Sequence, residues 1–251
     1  MNLKNKAGYK SQLFGGVNDI CDTEEMSWLR MSDDYQSRMK LASLLISQYR
    51  YCEALEAFAQ AEKIRNDDAA LYIKTGGTYL TLLRYDEAFS AYEKAIKLGV
   101  SEKALAYPLA IRLYLLGEYE KAALMFSGCL PCDDELKIAV IYFQLLCRLR
   151  SGKELTFEEY SENMSVGHHT AYELAVRVLL GRKDADEALA ETEKTGDLDF
   201  VIATYGIAVY LEENGRKEEA LSIKNKLLKR EGVWPCVSYL AVLAEMKNKK
   251  I

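Results

Sequence analysis

The chain is predicted to be all-α, a right-handed superhelical solenoid of stacked antiparallel helix pairs. Three observations predict it. Blocks of 34 residues follow one another without a gap from Tyr35 to Leu136. Side chains of the same size recur at fixed places: Tyr51, Tyr85 and Tyr119; Ala54, Ala88 and Ala122; Phe58, Tyr92 and Phe126; Ala61, Ala95 and Cys129. Within a block the apolar residues recur three and four apart, as in Ala54, Leu55, Phe58 and Ala61, which is the stripe of a helix and not the alternation of a strand. A fixed period with small residues at set points marks a stacked helical array, an architecture that presents a surface.

Each block divides into two helices. In the first helix Leu41, Thr75 and Leu109 align, as do Ala42, Gly76 and Ala110, so a small residue stands where a neighbouring helix must approach. The segments Tyr49-Arg50-Tyr51, Leu83-Arg84-Tyr85 and Gly117-Glu118-Tyr119 leave room only for a tight turn, which makes the two helices antiparallel.

Beyond Leu136 the period loosens. Glu135 to Arg150 reads as a helix closed by Ser151-Gly152, with Phe157, Tyr160 and Met164 as the stripe of a short partner. A further pair is expected from Thr170 to Leu180 and from Asp184 to about Thr195, and another from Asp199 to Asn214 and from Lys217 to Lys229. Trp234 to Met246 reads as one closing helix with Pro235 in its first turn, where the missing N–H costs nothing. The expected organisation is therefore an irregular segment over 1–34, regular repeats over 35–136, degenerate pairs over 137–233 and a closing helix over 234–251.

The second block resembles the tetratricopeptide repeat family. Tyr72, Gly76, Tyr79, Tyr85, Ala88, Tyr92 and Ala95 fall where that family places its aromatic, glycine, aromatic, aromatic, alanine, aromatic and alanine, with Thr75 in place of the usual leucine. The proline that usually follows the second helix is replaced by Asn66, Val100 and Asp134, so other turn chemistry must close those helices. The resemblance implies a concave face lined by the first helix of each pair. Its exposed positions here are Met39, Ser43 and Ile46, then Ile73, Gly77 and Leu80, then Tyr107, Ile111 and Tyr114. Relatives that clamp the terminal carboxylate of heat-shock chaperones carry a lysine and an asparagine where Met39 and Ser43 stand, which speaks against that partner. An apolar, tyrosine-rich wall suits a protein or peptide segment, with Tyr107 and Tyr114 as aromatic anchors.

Other function classes find little support. The chain has no phosphate-binding glycine loop, no H-E-x-x-H and no nucleophile elbow, and its carboxylates lie in mixed runs such as Glu118, Glu120 and Lys121. No enzyme activity and no cofactor are expected. A net charge of -5 without a basic block speaks against nucleic acid. Residues 1–16 do not read as a secretion signal and no apolar run approaches a membrane span, so a cytoplasmic location is expected.

Six cysteines raise disulfides and metal, yet Cys129 and Cys132 of the C-x-x-C pair occupy packing places in the repeat, and free thiols are expected. No metal is expected either, because His168 and His169 are adjacent and neighbours on a helix point apart. Two alternatives remain beside peptide binding: a small-ligand sensor or enzyme using His168, His169, Tyr172 and Glu173, and a scaffold that associates with itself.

Overall fold

The computed structural model describes residues 20–130, 133–155 and 160–248, and these divide between two units, Met1–Leu105 and Ala106–Ile251. The described residues contain helices and no strand. The first unit holds α1 (Glu24–Met31), α2 (Tyr35–Ser47), α3 (Tyr51–Ile64), α4 (Ala69–Thr81) and α5 (Tyr85–Lys97). The second holds α6 (Ala106–Leu115), α7 (Tyr119–Ser127), α8 (Asp134–Arg150), α9 (Thr170–Leu179), α10 (Ala185–Thr192), α11 (Asp197–Glu213), α12 (Lys217–Leu228) and α13 (Val237–Asn248).

In the first unit α2 packs on α3 and α4 on α5, with α3 against α4 between the pairs. The starts of the first helices repeat with the sequence period: Asp34 accepts from the Ser37 N–H at 2.9 Å and Asp68 from the Ala70 N–H at 2.9 Å. Their ends repeat too. Tyr49 N–H donates to Ile46 O at 2.9 Å and Arg50 N–H to Leu45 O at 2.9 Å, while Leu83 and Arg84 do the same to Leu80 and Tyr79 at 3.0 and 2.9 Å. This closure needs a residue with positive φ, and Tyr49 (φ 62°) and Leu83 (φ 56°) take it without being glycine. The same pair of bonds recurs in the second unit at Gly117, Gly152, Gly181 and Gly215, where glycine carries the conformation.

The missing prolines are explained at the helix exits. Gly99 turns with φ 97° and the Val100 N–H returns to Ala95 O at 3.2 Å, which closes α5. α3 instead passes through extended Arg65 into the Asp68 cap of α4. The small-residue contacts fall where the alignment puts them. Ala42 and Ala88 are fully buried, and a methyl group added at Gly76 would sit 2.5 Å from Tyr92 Cε1.

Three expectations about the segments are corrected. Residues 24–31, assigned to an irregular terminus, form α1, because Thr23 caps the helix by accepting from the Met26 N–H at 3.2 Å and Met26 is buried. Residues 1–19 lie outside the described residues, as do Cys132 and Phe157. No partner helix follows α8 over 160–169, where Tyr160 is buried in irregular chain and Met164 closes a turn. α13 begins at Val237, later than Trp234, because Glu231–Val233 form a 3-10 turn and Pro235 stands before the first helical residue.

The second unit is closed. Every residue from Ile138 to Cys147 of α8 and from Phe200 to Val209 of α11 is buried, so neither helix keeps a solvent face along that stretch. α11 contacts α8, α9, α10, α12 and α13, and α13 returns to pack on α6.

Candidate functional site

On the first unit, α2 and α4 present one shared side. The Ser43 hydroxyl donates to Met39 O at 3.0 Å within α2 and accepts from Lys74 Nζ of α4 at 3.2 Å, which fixes the two helices in register there. Met39, Ser43, Ile46 and Gly77 are half-buried, Ile73 is 36% exposed, and Leu80 turns into the core. Gly77 has room above it, since an added methyl would approach only Tyr92 Oη at 3.9 Å. This surface is apolar with one cation, Lys74, at its centre.

The three equivalent positions of α6 do not form such a surface. Ile111 and Tyr114 are each 2% exposed, and Tyr107 is half-buried with its ring edge-on to Phe126 at 5.8 Å. The physical reason is the closure of the second unit, in which α13 lies against α6 and the Tyr114 ring packs on Phe143 of α8 and Tyr205 of α11. Burial raises the phenol pKa of both Tyr107 and Tyr114. Of the two anchors expected from the sequence, Tyr114 is a core residue of its unit and Tyr107 is half-buried.

Beside Tyr114 lies a group of charges that sequence reasoning missed. Tyr205 Oη donates to Glu245 Oε1 at 2.9 Å, Arg150 Nη2 pairs with Glu245 at 2.9 Å and with Glu212 at 2.9 Å, and Lys224 Nζ pairs with Glu212 at 2.5 Å and Glu245 at 2.7 Å. The Arg150, Lys224, Glu212 and Glu245 side chains are between 5% and 14% exposed. Burial opposes the Arg150 charge, but Glu245, the two tyrosines and Glu212 more than offset it and raise its pKa. Arg150 Nη1 also pairs with the less buried Glu213 at 2.7 Å, so each cation faces at least two carboxylates, which is what lets these charges be buried. A signal was present in the sequence: Lys224 stands in the apolar stripe of α12 between Ala220 and Leu227.

The proposed alternative site is split in two. His168, His169 and Tyr172 border a cavity of about 320 Å³ with Leu198, Ile202, Pro235 and Cys236. Glu173 faces a different cavity of about 270 Å³ with Thr170, Arg177, Glu191, Thr195 and Asp199. Burial raises the pKa of the Tyr172 phenol and of the Cys236 thiol. Among the described residues Cys21, Cys147 and Cys236 are free thiols. Among the described residues no helix is long and apolar enough to cross a membrane.

Neither a family model nor a curated protein matches this sequence. Among solved structures, that of YrrB, described as a TPR protein with an unusual peptide-binding site, aligns at 18% identity with a TM-score of 0.44, covering 90% of this chain and 98% of that one. Periodic helix pairs, small-residue contacts and repeated positive-φ turns make this an all-α helical-repeat chain that resembles the tetratricopeptide repeat.

Proposed function

We propose that this protein is a non-enzymatic scaffold that binds a protein or peptide segment on the α2 and α4 side of its first unit. The observation that supports the reading is the Lys74 to Ser43 hydrogen bond between α2 and α4, the helices that carry the half-buried Met39 and Ile46 and the exposed Ile73. An amphipathic segment would gain affinity there from apolar area, with Lys74 favouring a carboxylate or a backbone carbonyl. Selection of a displayed random-peptide library against the full chain, followed by fluorescence anisotropy on the selected peptides, tests it. Ile73→Glu and Met39→Glu are expected to weaken binding at least about tenfold, a cost of about 1.4 kcal/mol. Selected peptides that bind both variants as tightly as the parent would refute the reading.

A second reading, a small-ligand site in the second unit, is favoured by the cavity that His168, His169 and Tyr172 border. Its signature would be a bound metabolite whose retention is lost on His168→Ala and unaffected by Ile73→Glu.

A further inference from the structure

His168 and His169 come together with a carboxylate from another helix. Both histidines precede α9, whose first residue is Thr170, so the divergence of neighbours on a helix does not apply to them. Their rings lie on the same side, with centroids 4.2 Å apart at 35°. Glu135 reaches them from the first turn of α8, a helix start fixed by Asp133 accepting from the Leu136 N–H at 2.9 Å. Its Oε2 stands 3.8 Å from His168 Nδ1, and one donor atom from each of the three residues lies within 4.8 Å of the others.

Two further observations bear on the same place. Gly167 turns with φ 53°, and a Cβ there would run into the Glu135 carboxylate, so the absence of a side chain is what lets the carboxylate lie against the histidine turn. His169 Nδ1 is buried and has no hydrogen-bond partner among the described residues. A buried polar atom that the protein leaves unsatisfied is uncommon and calls for an explanation, one of which is a bound ion.

We infer that Glu135, His168 and His169 form a binding site for a divalent transition-metal ion. Two imidazoles and one carboxylate suit zinc, cobalt or nickel, whereas magnesium and calcium prefer oxygen donors. Three protein donors leave a coordination position open, as in metal sites that accept an exogenous ligand. The two histidines also border the 320 Å³ cavity, so a donor atom of a molecule held there, or water, completes the set. Because α8 contributes one ligand and the turn into α9 the other two, the ion ties the start of α8 to the turn into α9.

The test is isothermal titration of the full chain, stripped with a chelator and dialysed, with zinc chloride, and with magnesium chloride as a control. One equivalent of zinc is expected to bind and magnesium is expected to give no heat. The double variant His168→Ala/His169→Ala and the single variant Glu135→Gln are expected to weaken zinc binding about tenfold or more, with unchanged helical circular dichroism; these side chains lie at the surface or part-way into it. Cobalt titration is expected to give a spectrum without a thiolate charge-transfer band, and Cys129→Ser/Cys132→Ser is expected to bind zinc like the parent. No zinc binding, binding equally tight in the histidine double variant, or binding lost in the cysteine variant would each overturn the site.

Discussion

The Tyr114 and Tyr205 hydroxyls lie 2.6 Å apart although 91 residues separate them in the chain. That bond joins α6 to α11, and through Tyr205 it reaches Glu245 on α13. A residue placed on an open binding face by its position in the repeat is thereby a cross-link in the core of the second unit. Tyr114→Phe removes the hydroxyl alone and is expected to cost about 0.5 to 1.5 kcal/mol. Tyr114→Ala removes the ring that packs on Phe143 and Tyr119 and is expected to cost about 3 to 5 kcal/mol. Urea melts measure both, and an alanine variant as stable as the parent would remove Tyr114 from the core.

The buried charge cluster around Glu245 makes a second prediction. Glu245→Gln leaves Lys224 facing Glu212 alone, while Arg150 keeps Glu212 and Glu213. Breaking a buried pair on one side is expected to cost about 3 to 5 kcal/mol. Lys224→Met in the same chain removes the cation that has lost one of its two carboxylates and should recover part of the loss, and a double-mutant cycle from chemical denaturation reads the coupling. Strict additivity of the two changes would show that these charges do not act together.

Gly76 sits where two opposing effects can be weighed. Alanine is favoured over glycine inside a helix by about 1 kcal/mol. Against this, the added methyl would lie within 2.9 Å of three atoms of the Tyr92 ring, which is 1% exposed and has nowhere to swing. Overpacking of this kind costs about 1 to 3 kcal/mol, so Gly76→Ala is expected to destabilise the first unit. Combining it with Tyr92→Leu should cost less than the sum of the two, which thermal melting of the four proteins decides.

The docking of α1 is expected to be acid-sensitive. Arg30 and then Arg50 bond Asp22, and Arg50 and then Arg30 bond Glu53, which holds both carboxyls below their ordinary values of 3.8 and 4.5 against the opposing effect of burial. Groups whose folded pKa is lowered contribute stability above the unfolded value, and that contribution is lost as pH falls through the folded value. Protection of the Glu24–Met31 amides from hydrogen exchange, relative to their intrinsic rates, is therefore expected to be high near neutrality and to fall as the pH drops below about 4. Asp22→Asn should give faster exchange at neutral pH. If α1 exchanges at the same intrinsic-corrected rate on both sides of that window, these ion pairs do not hold it.

By itself the sequence determined the helix pairs. The 34-residue spacing of Tyr51, Tyr85 and Tyr119 and of Ala54, Ala88 and Ala122 marks helix starts and contacts that depend on local periodicity and on side-chain volume, and both are written in the order of residues. The same holds for Gly76, whose missing side chain is matched to the ring sixteen residues on. What only the tertiary structure decided is which faces stay open. Exposure depends on what covers a helix, and the cover of α6 comes from α13, more than a hundred residues later, so nothing near Ile111 or Tyr114 distinguishes them from Met39, Ser43 and Ile46. The meeting of Glu135 with His168 and His169 is of the same kind, since a carboxylate and two imidazoles 33 and 34 residues apart become neighbours only when the turn at Gly167 brings the chain back against α8.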